Sequence, residues 1–276
     1  MLAYPSHDVI SRLRMTVVLM AAILVAPAAA RAACDGAPVT SGSRAITVDG
    51  LMRTFVIRAP STADGRTPAP VVFALHPFGT NAQYMASRAP IASTWREAIV
   101  VYPNGTPRAG TGPGFAWQGR SGELADRDLR FFDAMMTWLS TNACIDENRV
   151  FVLGYSNGAG LAYLLACERG DRIAGIAIVS GRMGCPPTRA KPLILTHGVA
   201  DATIGYDQAV DAARIWAAKN SCLAPPPPVR GEGCVVANGC ASPLTMCTHA
   251  GGHEYDSSFT GNAVDFFKSI RPSSAR

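Results

Sequence analysis

The apolar run Val150-Phe151-Val152-Leu153 passes without a break into Gly154-Tyr155-Ser156-Asn157-Gly158, and a helical pattern over residues 159–168 follows at once. A strand that enters a helix through a Gly-X-Ser-X-Gly turn holds its serine on a strained corner with room only for small neighbours. Gly154 and Gly158 let strand and helix approach each other, and Ala159-Gly160 extend that close packing. The corner leaves Ser156 Oγ exposed at a helix N-terminus, where the Asn157 N–H is free to bind an oxyanion. The bare pentapeptide is common by chance, and the competing reading is a tight βα turn with an incidental serine. The strand before it and the helix after it favour a nucleophile.

The rest of the chain repeats the same alternation. Residues 71–75, 98–102, 150–153, 176–179 and 193–195 are short continuous apolar runs, as expected of parallel strands buried on both faces. Residues 46–48 and 54–57 come first and predict an antiparallel hairpin. Leu129, Phe132, Met136 and Leu139 share one face of a helix predicted over 126–141. Val210, Ala213, Trp216 and Ala217 do so over 207–219, and Val264, Phe267 and Ile270 over 261–270. This pattern predicts an α/β fold with a mostly parallel central sheet, helices on both faces and right-handed crossovers. Residues 103–122, rich in Gly and Pro and holding Phe115 and Trp117, predict irregular structure. Residues 223–239, which include Pro225–Pro228, also predict irregular structure, and residues 222–247 a small stapled excursion before the last strand.

An elbow serine needs a base, and the base needs an acid. In strand–turn–helix sites the partners follow in the order Ser, Asp/Glu, His. Asp201 lies in the loop after the strand at 193–195, at the carboxyl end where open α/β sheets place their sites. His253, in Gly251-Gly252-His253-Glu254-Tyr255, follows an expected strand at 244–248 by a short loop. Ser156, Asp201 and His253 are therefore the expected catalytic set. Asp207 and Glu254 are the rival acids, but Asp207 is expected to begin a helix and Glu254 adjoins His253 too closely. His249 is the rival base, and it is expected inside the last strand. His76 ends an earlier strand, and His197 reads equally as a packed core residue. A metal reading of His253-Glu254 fails because position 257 is Ser where H-E-x-x-H needs His. Leu75-His76-Pro77-Phe78-Gly79 supplies the second oxyanion donor. Pro77 has no N–H, so the Phe78 backbone is the expected one, against an ordinary β-turn.

Composition excludes other classes. Charged residues are only 16% of 276, the net charge is +5, and no Lys/Arg run forms a patch. Disorder and a nucleic-acid partner are excluded on that basis. Residues 15–27 (MTVVLMAAILVAP) are the one long apolar stretch, too short to span a bilayer comfortably. They follow Arg12 and Arg14 and precede Ala30-Arg31-Ala32, so residues 1–32 are expected to be a secretory signal peptide. A lipidated Cys34 is the alternative, but Arg31 stands where such a site wants an aliphatic residue. The mature chain, residues 33–276, then forms one domain with no stable membrane insertion. Its charges become 25 − 3 = 22 basic against 20 − 1 = 19 acidic. All eight Cys lie in it: Cys34, Cys144, Cys167, Cys185, Cys222, Cys234, Cys240 and Cys247. An even count in an exported chain argues for disulfides over zinc, and spacing alone leaves the pairing open.

With these residues in place, the chain resembles the carbohydrate esterase family 1 group of α/β hydrolases, closest to its secreted feruloyl esterases. Acetylxylan esterases and relatives of polyhydroxybutyrate depolymerase belong to the same group. The likeness covers nearly the whole mature chain. It runs from Cys34 and residues 46–59 (ITVDGLMRTFVIRA) through 76–81, Trp117, Asp126-Arg127-Asp128 and Cys144-Ile145-Asp146. It continues through 154–158, Leu165-Ala166-Cys167, Ser180-Gly181, 197–201, Asn220-Ser221-Cys222 and Gly252-His253. Two positions depart from the pattern: Pro77 replaces the usual Gly after the oxyanion-loop His, and Gln118 follows Trp117.

The resemblance implies a disulfide-stapled α/β-hydrolase fold and the triad Ser156, Asp201 and His253. It further implies the pairs Cys34–Cys144, Cys167–Cys185 and Cys222–Cys240, leaving Cys234 and Cys247 as an additional pair. The expected reaction is ester hydrolysis through an acyl-enzyme, with neither metal nor organic cofactor. The expected substrate is a feruloyl ester of plant cell-wall polysaccharide; acetylxylan and a polyester are the alternatives. A non-catalytic secreted binding protein on the same scaffold is the reading from another class. Phe78, Trp117 and Tyr155 are expected to form an apolar rim for an aromatic acyl group, against a role in core packing.

Overall fold

The structure is a computed structural model that describes residues 34, 38–110, 112–227 and 231–271. The signal peptide expected over 1–32 lies outside the described residues. Strands β1 (Gly42–Val48) and β2 (Leu51–Arg58) form the expected hairpin. They are joined by Asp49 and Gly50, both at positive φ (50° and 78°). Such an Asp-Gly corner matches the twist of the two strands. Then follow β3 (Ala69–Leu75), α1 (Ala82–Arg88), α2 (Ile91–Thr94) and β4 (Ile99–Pro103). The short strands β5 (Thr106–Pro107) and β6 (Phe115–Ala116) pair with each other inside the Gly/Pro-rich segment. After them come α3 (Arg127–Asn142), β7 (Ile145–Tyr155), α4 (Asn157–Glu168), β8 (Gly175–Val179) and β9 (Leu193–Gly198). The chain ends with α5 (Tyr206–Lys219), β10 (Gly233–Val236), β11 (Leu244–His249) and α6 (Ser257–Ser269).

Nine strands make one sheet in the order β1-β2-β4-β3-β7-β8-β9-β11-β10. Strands β4, β3, β7, β8, β9 and β11 are mutually parallel, and the antiparallel pairs lie towards the edges. Alternation along the strands divides the apolar interior into two layers. On β3, Val71, Phe73 and Leu75 pack on one face with the side chains of α3, α4 and α5. Val72 and Ala74 pack on the other with α1, α2 and α6. Each parallel strand is thus covered on both sides, which is why it reads as a continuous apolar run.

Three differences from the sequence expectation have local causes. Strand β7 begins at Ile145, several residues before the apolar run, because its polar start pairs with the outer end of β3. Helix α6 begins at Ser257 rather than at 261, because the Asp256 side chain accepts the Ser258 N–H as an N-cap. Strand β10 lies in the segment expected to be irregular, and its Cys234 stands opposite Cys247 of β11.

The structure pairs Cys34 with Cys144, Cys167 with Cys185, Cys222 with Cys240 and Cys234 with Cys247. The first closes a separation of 110 residues. In the chain-entropy account a closure of that size stabilises by about 5 kcal/mol.

Candidate active site

The end of β7 and the start of α4 build the serine corner. A Cβ on Gly154 would lie 2.3 Å from Gly158 O, and one on Gly158 would lie 2.3 Å from Leu75 O. Only glycine fits at either position. Ser156 between them has φ 54° and ψ −116°, a costly conformation for a residue with a side chain. Its N–H donates to Val179 O at 2.9 Å, which ties the corner to β8.

Two further loops converge on it. Asp201 follows β9, and its Oδ1 accepts the N–H groups of Thr203 and Ile204, each at 2.9 Å. Its Oδ2 accepts His253 Nδ1–H at 2.8 Å. Burial alone would raise the Asp201 pKa, but the Ile204 N–H, His253 and the Thr203 N–H outweigh it and hold the carboxyl below its ordinary value. His253 follows β11, and its Nε2 lies 2.8 Å from Ser156 Oγ. The loops brace each other: Val199 N–H donates to His249 O at 2.9 Å, and Ala200 N–H to Gly251 O at 3.1 Å. Tyr155 Oη–H donates to the His253 carbonyl at 3.0 Å and fixes the base from the serine side. The result is a continuous path from carboxylate through imidazole to hydroxyl. It can withdraw a proton from Ser156 while Asp201 holds the tautomer and supports the imidazolium.

The rival residues have other partners. Glu254 Oε1 lies 3.5 Å from His249 Nδ1. His249 is the last residue of β11, and its ring lies on Phe259 at 4.9 Å. Asp207 sits in the first turn of α5. His197 donates Nε2–H to Ile204 O at 2.8 Å beneath the acid loop, and burial lowers its pKa. Among the described residues no group of three or more His, Cys, Asp or Glu side chains could hold a metal ion.

The second donor loop is held by a residue that sequence reasoning passed over. His76 is fully buried. Its Nδ1–H donates to Pro77 O at 2.8 Å, and its Nε2 accepts Gly105 N–H at 3.0 Å. The imidazole is thus neutral, and burial pushes its pKa down to about 4. Its carbonyl accepts Trp117 Nε1–H at 2.9 Å. Thr80 Oγ1–H also donates to Pro77 O, and Gly79 N–H donates to Phe115 O, each at 2.9 Å. These bonds set the turn that carries the Phe78 N–H. The Asn157 side chain braces the other wall: its Oδ1 accepts Trp117 N–H at 2.8 Å, and its Nδ2–H donates to Trp117 O at 3.3 Å. The only sequence sign of either role was their place in segments already singled out, 76–81 and 154–158.

The three residues of the expected aromatic rim differ in burial. Phe78 is 46% exposed, but Trp117 is 1% and Tyr155 7% exposed. Trp117 packs on His76 at 4.7 Å between ring centres, and the Tyr155 hydroxyl is committed to the His253 loop. Both brace the site from inside, and Phe78 alone of the three presents its ring to solvent. Gln118 is buried too: its side-chain carbonyl accepts Asp128 N–H at 2.9 Å, which anchors the start of α3. Asp128 also pairs with buried Arg53 at 2.7 Å. Ser156 and Asn157 open onto a cavity of about 740 Å³ lined by Trp117, Arg108, Arg120, Arg182 and Met183. The cavity of about 780 Å³ on the other side touches Tyr155 and His253 but not Ser156.

No protein-family model matches the chain. Among characterised sequences, feruloyl esterase D of Neurospora crassa is 27% identical over 241 residues, covering 79% of this chain and 78% of that protein. Feruloyl esterase C of Emericella nidulans is 29% identical over 217 residues, covering 73% and 76%. Among solved structures, an acetyl xylan esterase from Aspergillus awamori superposes with a TM-score of 0.65 at 16% identity, over 82% of this chain and 99% of that one. A ferulic acid esterase superposes with a TM-score of 0.61 at 12% identity, over 84% and 98%. The chain has an α/β-hydrolase fold and is similar to feruloyl and acetylxylan esterases.

Proposed function

We propose that the chain is a secreted serine esterase that hydrolyses feruloyl esters of plant cell-wall polysaccharide through an acyl-enzyme. The observation that carries the reading is the Ser156–His253–Asp201 path, with both links at 2.8 Å, beside the N-terminus of α4. His253 Nε2 takes the proton as Ser156 Oγ attacks the ester carbonyl. The Asn157 and Phe78 N–H groups receive the oxyanion, an effect worth about 3 kcal/mol per donor. The ester C–O bond then breaks, and His253 returns the proton to the departing alkoxide. Water attacks the acyl carbonyl with His253 again as base, releasing the acid and restoring Ser156.

The feruloyl preference is supported by the characterised relatives named above, which align over about three-quarters of this chain. Export is supported by four disulfides, which form and persist in oxidising compartments. The test is a panel of methyl ferulate, an acetylated xylan and a hydroxybutyrate polyester, run beside fluorophosphonate labelling. Hydrolysis of methyl ferulate with the label on Ser156 is the expected result. A preference for the acetylated xylan or the polyester moves the substrate assignment, and a protein that neither labels nor hydrolyses refutes the enzyme reading.

A further inference from the structure

The cavity onto which Ser156 opens is unevenly charged. Arg108, Arg120 and Arg182 line it against one carboxylate, Glu123. Glu123 Oε1 already accepts from Arg108 at 3.1 Å, across a partly exposed pair. Arg182 donates Nε–H to the neutral side chain of Gln208 at 2.8 Å. Among the described residues neither Arg120 nor Arg182 has a carboxylate partner, and both are exposed. The two are brought together by close backbone packing. A Cβ on Gly184 would lie 2.2 Å from Gly119 O and 4.0 Å from Arg120 Cγ, so the segment carrying Arg182 abuts the segment carrying Arg120. A Cβ on Gly160 would lie 3.6 Å from Arg182 O, which sets Arg182 against the first turn of α4, one turn from the serine. The positive end of α4 adds to the same field.

A neutral acyl or sugar group leaves two guanidinium groups beside the nucleophile uncompensated, whereas a carboxylate would be held by planar, charge-assisted hydrogen bonds. We infer that Arg120 and Arg182 select esters that carry a carboxylate, either on the acyl group or on the sugar that bears the ester. This rests on the esterase reading above and narrows its substrate class to anionic esters.

The test compares kcat/KM within two matched pairs. In one, 4-nitrophenyl hemiglutarate is set against 4-nitrophenyl valerate, which places the charge on the acyl group. In the other, the feruloyl ester of glucuronic acid is set against that of glucose, which places it on the sugar. One pair should show a preference of about tenfold for the charged member, carried in KM and shrinking towards unity at high salt. The pair that shows it identifies the source of the carboxylate. In the double variant Arg120→Gln/Arg182→Gln the same ratio should approach unity, and Arg120→Lys/Arg182→Lys should keep part of it. Because each ratio is taken within one protein preparation, partial misfolding cancels. Equal rates within both pairs, or a preference unchanged in the Gln double variant, overturn the inference. Failure on methyl ferulate with the nitrophenyl pair still cleaved refutes the feruloyl reading alone. No hydrolysis of any ester refutes both.

Discussion

Replacing His76 by Gln tests whether a neutral imidazole holds the oxyanion loop. In the native protein this ring donates to Pro77 O and accepts from Gly105 N–H, so a second proton on Nε2 would face a donor inside the core. Burial lowers its pKa to about 4, against about 6.5 in an unfolded chain. Because the folded value is the lower one, the unfolded chain binds more protons between these two pH values. The contribution to stability is therefore complete above about pH 6.5 and is lost as pH falls towards 4. At pH 4 the loss amounts to about 3 kcal/mol, a large share of a typical domain's stability. Gln keeps a donor and an acceptor but does not titrate. Urea unfolding of both proteins from pH 7 to pH 4 should show the wild-type advantage shrinking by about 3 kcal/mol. Losses from Asp201 and His197 are common to both proteins and cancel. Parallel pH curves would refute the neutral, buried role assigned to His76.

Four substitutions test the chemistry. Ser156→Ala and His253→Ala should each lower kcat by on the order of 10⁴- to 10⁶-fold, and the double variant should be no worse because the two act as one unit; a mild His253→Ala beside a severe His249→Ala, in ester-hydrolysis assays, would mean the wrong base. Asp201→Asn should lower kcat by on the order of 10⁴-fold near neutral pH with little change in KM, because Asn favours the wrong tautomer of His253; steady-state kinetics beside Asp207→Asn and Glu254→Gln check it, and a near-normal Asp201→Asn would refute it. Asn157→Asp keeps an acceptor for Trp117 N–H but sets a charge roughly 5 Å from the forming oxyanion, which at an effective dielectric near 20 costs about 3 kcal/mol, on the order of 10²-fold in kcat; an unchanged kcat would show that the oxyanion lies elsewhere.

Local chemistry determined a large part of this protein. Strands β3, β4, β8 and β9 were readable because a strand covered on both faces must be apolar at every position, and that leaves an unbroken run in the sequence. The serine corner was readable because its backbone contacts, 2.3 Å from any Cβ placed on Gly154 or Gly158, admit only glycine. The order of Ser156, Asp201 and His253 after successive strands was readable for the same reason: each lies just past a run that ends in turn residues. Where a strand of only four residues joins the edge of a sheet, as at β10, or a cap lengthens a helix, as at Asp256, the signal is too local or too weak to extract in advance.

Tertiary structure decided what depends on long separations. Ser156 and His253 are 97 residues apart, and their 2.8 Å contact follows from the packing of β7, β9 and β11 in one sheet. Trp117 has the composition of a substrate rim, and only the folded chain shows that it is buried with its indole N–H on His76 O. His76 looked like one more candidate base, and only Gly105, 29 residues away, makes it a neutral brace. Arg120 and Arg182, which have no carboxylate partner among the described residues, lie on segments 62 positions apart that meet at Gly119 and Gly184. Periodicity reports which face of an element is buried; which side chains then meet, and in what protonation state, is set by contacts that exist only once the sheet has closed.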